Sequence, residues 1–211
     1  MYIPNTDRVD DQAQLLAFMQ AHSFAAVVGL VNGELFATHL PLVVVTADDQ
    51  FRLRGHMAKA NPHWPALATQ EVLVIFQGPH AYISPTHYEK WESVPTWNYI
   101  AVHAYGSAAL LQEEGGRLAV LAELIAANEP AYQQQWDSLP DQYRSGMLNG
   151  IVAFEITVTR LEGKYKLSGS RPVGDQERVA TALIGHADST IAATGHAMQE
   201  ALSNDRGTSG D

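Results

Sequence analysis

The dipeptide Asn32-Gly33, set between two β-rich runs, constrains the fold of this chain more than any other feature. The runs are Phe24–Val31 and Glu34–Val45, and Asn-Gly is the favoured pair for a tight turn whose central residues both take positive φ. A β-hairpin is the expected result, with Pro41 marking an edge or a bulge in its second arm. Further strands are predicted over Gln50–His56, Glu71–Gln77, Ala81–Ser84, Thr96–Leu111 and Ile151–Leu161. Gly78-Pro79 reads as a break, and the long run as bent near Gly106. Helical patterning covers Asp10–His22, Pro62–Thr69, Arg117–Asn128 and Pro140–Leu148, with one or two alanine-rich helices beyond Asp175. Six or more strands at hairpin spacing, with helices at intervals, predict a closed or nearly closed antiparallel barrel.

Hydrophobic residues make up 46% of the 211 and charged residues 17%, so a sizeable core is available and a disordered chain is excluded. No apolar run approaches the roughly 20 residues that span a bilayer. Met1-Tyr2-Ile3-Pro4-Asn5 lacks a basic region followed by an apolar stretch, so a cytoplasmic location without membrane contact is expected. The chain has no cysteine, which removes disulfides, thiolate metal sites, iron–sulfur clusters and thiol nucleophiles together. A net charge of −10 repels polyanions and runs against direct contact with DNA. Yet seven of the 13 Lys and Arg residues fall in two windows, Arg52, Arg54 and Lys59, then Arg160, Lys164, Lys166 and Arg171. Compact clusters suit a small anion better than a long one.

The first window, Arg52-Leu53-Arg54-Gly55-His56-Met57-Ala58-Lys59-Ala60-Asn61-Pro62, passes from a strand through a turn into a helix start. Arg54 can fork onto phosphate oxygens, Lys59 adds a mobile charge, and helix N-terminal amides favour an anion. An ordinary strand–turn–helix with solvated charges fits the same pattern. In the second window alternation puts Lys164, Lys166 and Ser168 on one face of a strand, which also describes a solvated edge. A third constellation, Phe76–Pro85 with Val94–Tyr99, mixes aromatics and amides around prolines. Gln77 and Asn98 there suit the pyrimidine edge of a flat heteroaromatic ligand, while Tyr82, Trp97 and Tyr99 also read as core or interface. Nine histidines include no His-Glu-x-x-His and no tight ligand pair, so no metal site is expected. No dinucleotide-binding glycine fingerprint, Walker sequence or hydrolase nucleophile elbow occurs.

Read in order, Met1–Pro4, Ala37-Thr-His-Leu-Pro41, Gly55-His-Met-Ala-Lys-Ala-Asn-Pro62, Phe76–Pro85, Val94-Pro-Thr-Trp-Asn-Tyr99 and Leu161–Ser168 resemble the PaiB-like family of FMN-binding negative transcriptional regulators. The resemblance implies a mainly β, α+β split barrel of the pyridoxamine-phosphate-oxidase kind. It implies a homodimer with FMN as cofactor at the subunit interface. Residues 1–170 would form that domain, 171–202 a helical extension packed on it, and 203–211 a flexible tail. It places Arg54, His56 and Lys59 at the FMN phosphate, with Lys164 or Lys166 approaching from another strand. Thr38, His39 and Gln77 would lie near the flavin ring or ribityl chain, and Trp97 and Asn98 would complete the site, from the partner subunit in one arrangement. The family continues Lys-Leu-Ser with Gln-Asn, whereas this chain has Gly169-Ser170, which removes two amide side chains from that strand end. Three functions share this site: a regulator whose repression is indirect, a flavin-dependent oxidoreductase or more remotely a haem-degrading protein, and a binder that stores or senses FMN.

Overall fold

The structure, a computed structural model, describes residues 1–47 and 50–208, and of residues 205–208 the backbone alone. Among them are strands β1 (Arg8–Val9), β2 (Phe24–Val31), β3 (Glu34–Pro41), β4 (Val43–Ala47), β5 (Gln50–Ala58), β6 (Glu71–Ile83), β7 (Thr96–Leu111) and β8 (Ile151–Lys166). The helices are α1 (Gln12–Ala21), α2 (Trp64–Leu67), α3 (Glu114–Asn128), α4 (Tyr132–Ser138), α5 (Asp141–Asn149), α6 (Val173–Ile184) and α7 (Ser189–Thr208). The strands form one sheet in the order β3-β2-β6-β7-β8-β5-β4, with β1 paired to β8. The chain divides into two compact units: a larger one of residues 12–76 and 103–161, and a smaller one of residues 1–11, 77–102 and 162–211.

In the larger unit the expected hairpin forms over the full length of β2 and β3, from Phe24↔Pro41 to Val31↔Glu34. Asn32 and Gly33 take φ of 53° and 82°, the left-handed pair the turn requires. Pro41 is the last residue of β3, which ends the sheet order, so its missing N–H disrupts no ladder. Along β5, Leu53, Gly55 and Met57 are buried, while Arg52, Arg54 and His56 alternate onto the other face. Helix α3 covers that second face, packing Val120 and Leu124 on Ala153 of β8. Where β7 passes β8 at Gly106, a Cβ would lie 2.2 Å from the Thr157 carbonyl oxygen, so only glycine fits.

In the smaller unit, Val179, Ala180 and Leu183 of α6 and Met198 and Leu202 of α7 are buried. Asp175, also buried, accepts the Glu89 amide at 3.0 Å and anchors the loop after β6.

Several boundaries differ from the sequence reading. Strand β6 continues through Gly78-Pro79; its described pairing with β2 spans Leu73–Ile75, so Pro79 takes no part in that ladder. Strand β8 continues to Lys166, and α4 joins the helices expected. Helix α2 is one turn instead of two, held by Asn61, whose side chain accepts the His63 amide at 2.9 Å. Helix α7 carries on to Thr208, with Ser203 bonding back to the Gln199 carbonyl at 2.9 Å; of the tail expected over 203–211, residues 209–211 lie outside the described residues.

Candidate cofactor pocket

Three stretches of the larger unit meet around a cavity of about 410 Å³. Strand β3 supplies Thr38, His39 and Leu40, the end of β5 supplies His56, Met57 and Ala58, the following turn supplies Asn61, and the α5–β8 junction supplies Gly150 and Ile151. The β5–β8 ladder fixes the floor, pairing Ala58 with Ile151, and the Lys59 amide closes onto the Gly150 carbonyl at 2.8 Å. Leu40, Met57, Ala58 and Ile151 give apolar walls, and the polar groups converge from β3, β5 and the turn. That is the make-up of a small-molecule site, and the volume lies in the ordinary range of about 300–1,000 Å³.

The polar groups are few and oriented. Asn61 Oδ1 accepts the backbone N–H of His63, which leaves its Nδ2 to donate to Thr38 Oγ1 at 3.2 Å. Thr38 Oγ1 also lies 2.9 Å from His63 Nδ1. His63 is fully buried against the Phe36 ring, and burial lowers its pKa below the ordinary 6.5, so the ring is neutral near pH 7. Burial lowers His56 in the same direction, and its Nδ1 is enclosed without a hydrogen-bond partner. Lys59 is exposed at the turn beside Asn61, and its ammonium makes no hydrogen bond or ion pair among the described residues.

The resemblance placed Arg54 at the phosphate; in the structure its guanidinium is held by two carboxylates. Its guanidinium donates to Glu155 at 2.6 Å and to Glu123 at 2.5 Å, while Arg52 holds the other Glu155 oxygen at 2.7 Å. The hydrogen bond to Glu155 chiefly raises the Arg54 pKa. For Glu155, burial opposes ionisation, yet the hydrogen bonds from Arg52 and Arg54 outweigh it and hold the carboxyl below its ordinary value. Both charges are thus committed beneath α3. The helix-terminus argument also lapses, because α2 has four residues and carries little macrodipole.

The remaining expected residues belong to the smaller unit, in separate local groups. Asn98 is fully buried and exchanges hydrogen bonds with Ser168, at 2.9 and 3.2 Å, so its amide is a core contact. Ser168 takes a left-handed φ of 64° there. Lys164, also buried, donates to the Tyr2 carbonyl at 3.1 Å and lies over the Tyr2 and Tyr99 rings. Lys166 is tied to the Thr96 hydroxyl and, at 2.8 Å, to the Trp97 carbonyl. Trp97 is 53% exposed, with His80 and Tyr82 at its edges, and Gln77 is exposed on β6. The structure therefore gathers Thr38, His39 and His56 in one pocket, with Lys59 at its turn, and adds Asn61, Gly150 and Ile151, which sequence reasoning did not nominate. Asn61 was legible as a helix cap; the α5–β8 junction lies about ninety positions away and left no local signal.

The donor set fits the phosphate-bearing end of FMN: Thr38, His39, His56 and Asn61 line the cavity with no carboxylate among them, and the exposed Lys59 adds one mobile cation at the adjoining turn. Among the described residues no cluster of three His, Asp or Glu is placed to hold a metal ion, and no helix is long and apolar enough to cross a membrane.

Comparison with known proteins agrees with this chemistry. Over 186 residues the chain is 40% identical to the protease synthase and sporulation protein PAI 2 of Bacillus subtilis, covering 85% of this chain and 87% of that protein. Among solved structures it is similar to the flavocytochrome Anf3 of Azotobacter vinelandii, with a TM-score of 0.58 at 18% identity over 75% of this chain and 68% of that one. It is also similar to a FAD and haem binding protein of Mycobacterium smegmatis, with a TM-score of 0.55 at 13% identity over 76% and 73%. At those identities the likeness shows the fold alone, a mainly β split barrel with flanking helices. Residues 1–160 match the family model described as "Putative FMN-binding domain". The chain belongs to that family of FMN-binding, PaiB-like proteins.

Proposed function

We propose that this protein binds FMN with its phosphate end in the β3–β5 pocket and acts as a PaiB-type regulator whose effect on transcription is indirect. The observation that carries the reading is a cavity lined by Thr38, His39, His56 and Asn61, entered beside the turn that carries the exposed Lys59. Phosphate oxygens can accept from Thr38 and Asn61 and pair with the Lys59 ammonium. When bound, FMN supplies the redox chemistry, and the protein supplies position and polarity. In a homodimer Trp97 of one subunit serves the flavin ring held by the other, which accounts for an aromatic side chain left half in solvent. A net charge of −10 supports action through a partner or an effector in preference to contact with DNA.

The test is titration of purified protein with FMN and with riboflavin, read by fluorescence quenching. Saturation near one FMN per subunit is expected, with riboflavin at least about tenfold weaker. Equal affinity for the two would remove the phosphate end from the pocket. Steady NAD(P)H consumption by the loaded protein would transfer the assignment to an oxidoreductase.

A further inference from the structure

Thr38 Oγ1 meets two side-chain groups, Asn61 Nδ2 and His63 Nδ1, and the hydrogens of the first are fixed by heavy atoms alone. The backbone N–H of His63 can only donate, so Asn61 Oδ1 is its acceptor and Asn61 Nδ2 is the donor to Thr38. That uses one lone pair of the hydroxyl. What remains is the direction of the Thr38–His63 bond.

A neutral imidazole has one N–H. If Nε2 carried it, a buried donor would be left with no acceptor, because His63 Nε2 is enclosed and unpartnered. It also faces Gly29 so closely that a Cβ at position 29 would lie 2.9 Å away. An N–H aimed at the glycine's own hydrogen is repelled, whereas a bare lone pair there makes a weak C–H contact. Buried N–H groups without partners are rarer than under-satisfied acceptors. The proton therefore sits on Nδ1 and is donated to Thr38.

We infer that His63 is a positioning residue: with Asn61 it fills both lone pairs of the Thr38 hydroxyl and thereby turns that hydroxyl into an obligate donor toward the pocket. The group facing Thr38 in the ligand must then be an acceptor. This rests on the reading of the pocket as the FMN phosphate site, where the acceptor is a phosphate oxygen. It also gives a partner to the ring nitrogen of a fully buried histidine, and a reason for glycine at position 29.

The experiment has two readings, so that failure of the inference and failure of the pocket assignment are separable. The first needs no ligand: the tautomer of His63 is measured by nitrogen-15 NMR of histidine-labelled protein, the signal being assigned by its loss in His63→Asn. A proton on Nδ1 is expected; a proton on Nε2 overturns the inference and leaves the FMN site standing. The second is FMN and riboflavin affinity in His63→Asn, His63→Leu and Thr38→Val, each checked for folding by circular dichroism. Asn can place an amide N–H where Nδ1 stood, so FMN affinity is kept in His63→Asn and falls about tenfold in His63→Leu and in Thr38→Val. Riboflavin affinity is unchanged throughout, and Thr38→Val with His63→Leu together loses no more FMN affinity than Thr38→Val alone. Additive losses, or equal losses for riboflavin, would show that His63 does not act through Thr38. FMN binding untouched by Thr38→Val, with Nδ1 protonated, would instead move the phosphate out of this pocket and refute the donor role with it.

Discussion

Arg54 carries two carboxylates at once, and this determines what its loss does. In Arg54→Met, Glu155 keeps only Arg52 and Glu123 keeps no cation, so stability falls by about 2 kcal/mol, measured by urea unfolding. The pH dependence has a definite sign. The folded-state pKa of Glu155 lies below its ordinary 4.5, so its stabilisation is complete above that value and is lost as pH falls through the lower folded value. Part of the acid-side loss seen in the parent protein should therefore be missing from Arg54→Met. FMN affinity separates the two basic residues of this segment: Lys59→Ala weakens FMN about tenfold with little change in stability, while Arg54→Met does the reverse. From sequence the two look alike, as cations at a strand end. What distinguishes them is Glu123, 69 positions from Arg54 on a helix laid over the strand, and no local pattern reports such a pairing.

At the scale of elements, what the sequence made legible is what short-range chemistry dictates. The Asn32-Gly33 hairpin and the bounds Thr96–Leu111 of β7 follow from turn residues and β-rich runs read directly. The extent of β6 does not, because whether Gly78-Pro79 stops a strand depends on which neighbour needs the N–H. The close approach at Gly106 was visible only as a bend, and its cause is the carbonyl of Thr157 on the neighbouring strand. Gly106→Ala forces that carbonyl aside and should cost about 3 kcal/mol or prevent folding, as followed by soluble yield and thermal unfolding. Gly146→Ala is the control. An added Cβ meets nothing within 4 Å on the exposed face of α5, so this variant should gain about 0.5–1 kcal/mol from helix propensity. If both variants behaved alike, the strand approach at Gly106 would not be the constraint it is described to be.

For the whole molecule, three histidines, His22, His56 and His63, are held by burial below their ordinary 6.5. Between the folded values and 6.5 the unfolded chain binds more protons, so stability rises with pH across that window and falls as pH drops from about 6.5. Urea midpoints taken from pH 7.5 down to pH 5.5 should decline before the carboxylates titrate, and His63→Asn should flatten the decline. The candidate site was legible in part for a related reason. Residues near one another in sequence, such as His56 and Lys59, could be grouped by type and spacing. The burial that neutralises His56 and orients His63 is a property of the folded larger unit, and hydrophobicity along the chain does not announce it.

The two asparagines described at turns face different chemical futures. Spontaneous deamidation begins when the backbone nitrogen of the next residue attacks the side-chain amide. Asn61 is followed by Pro62, whose nitrogen has no hydrogen to lose, so the amide that bridges His63 and Thr38 is shielded from that reaction by its own neighbour. Asn32 is followed by Gly33, the least hindered successor, in an exposed turn. Peptide mapping of protein stored warm at mildly alkaline pH should find conversion to aspartate accumulating at Asn32 and none at Asn61. Asn149, exposed at the end of α5, is likewise followed by a glycine, Gly150, which lines the pocket, so Asn32 and Asn149 are the two Asn-Gly steps open to this reaction while the amide that bridges Thr38 and His63 is closed to it.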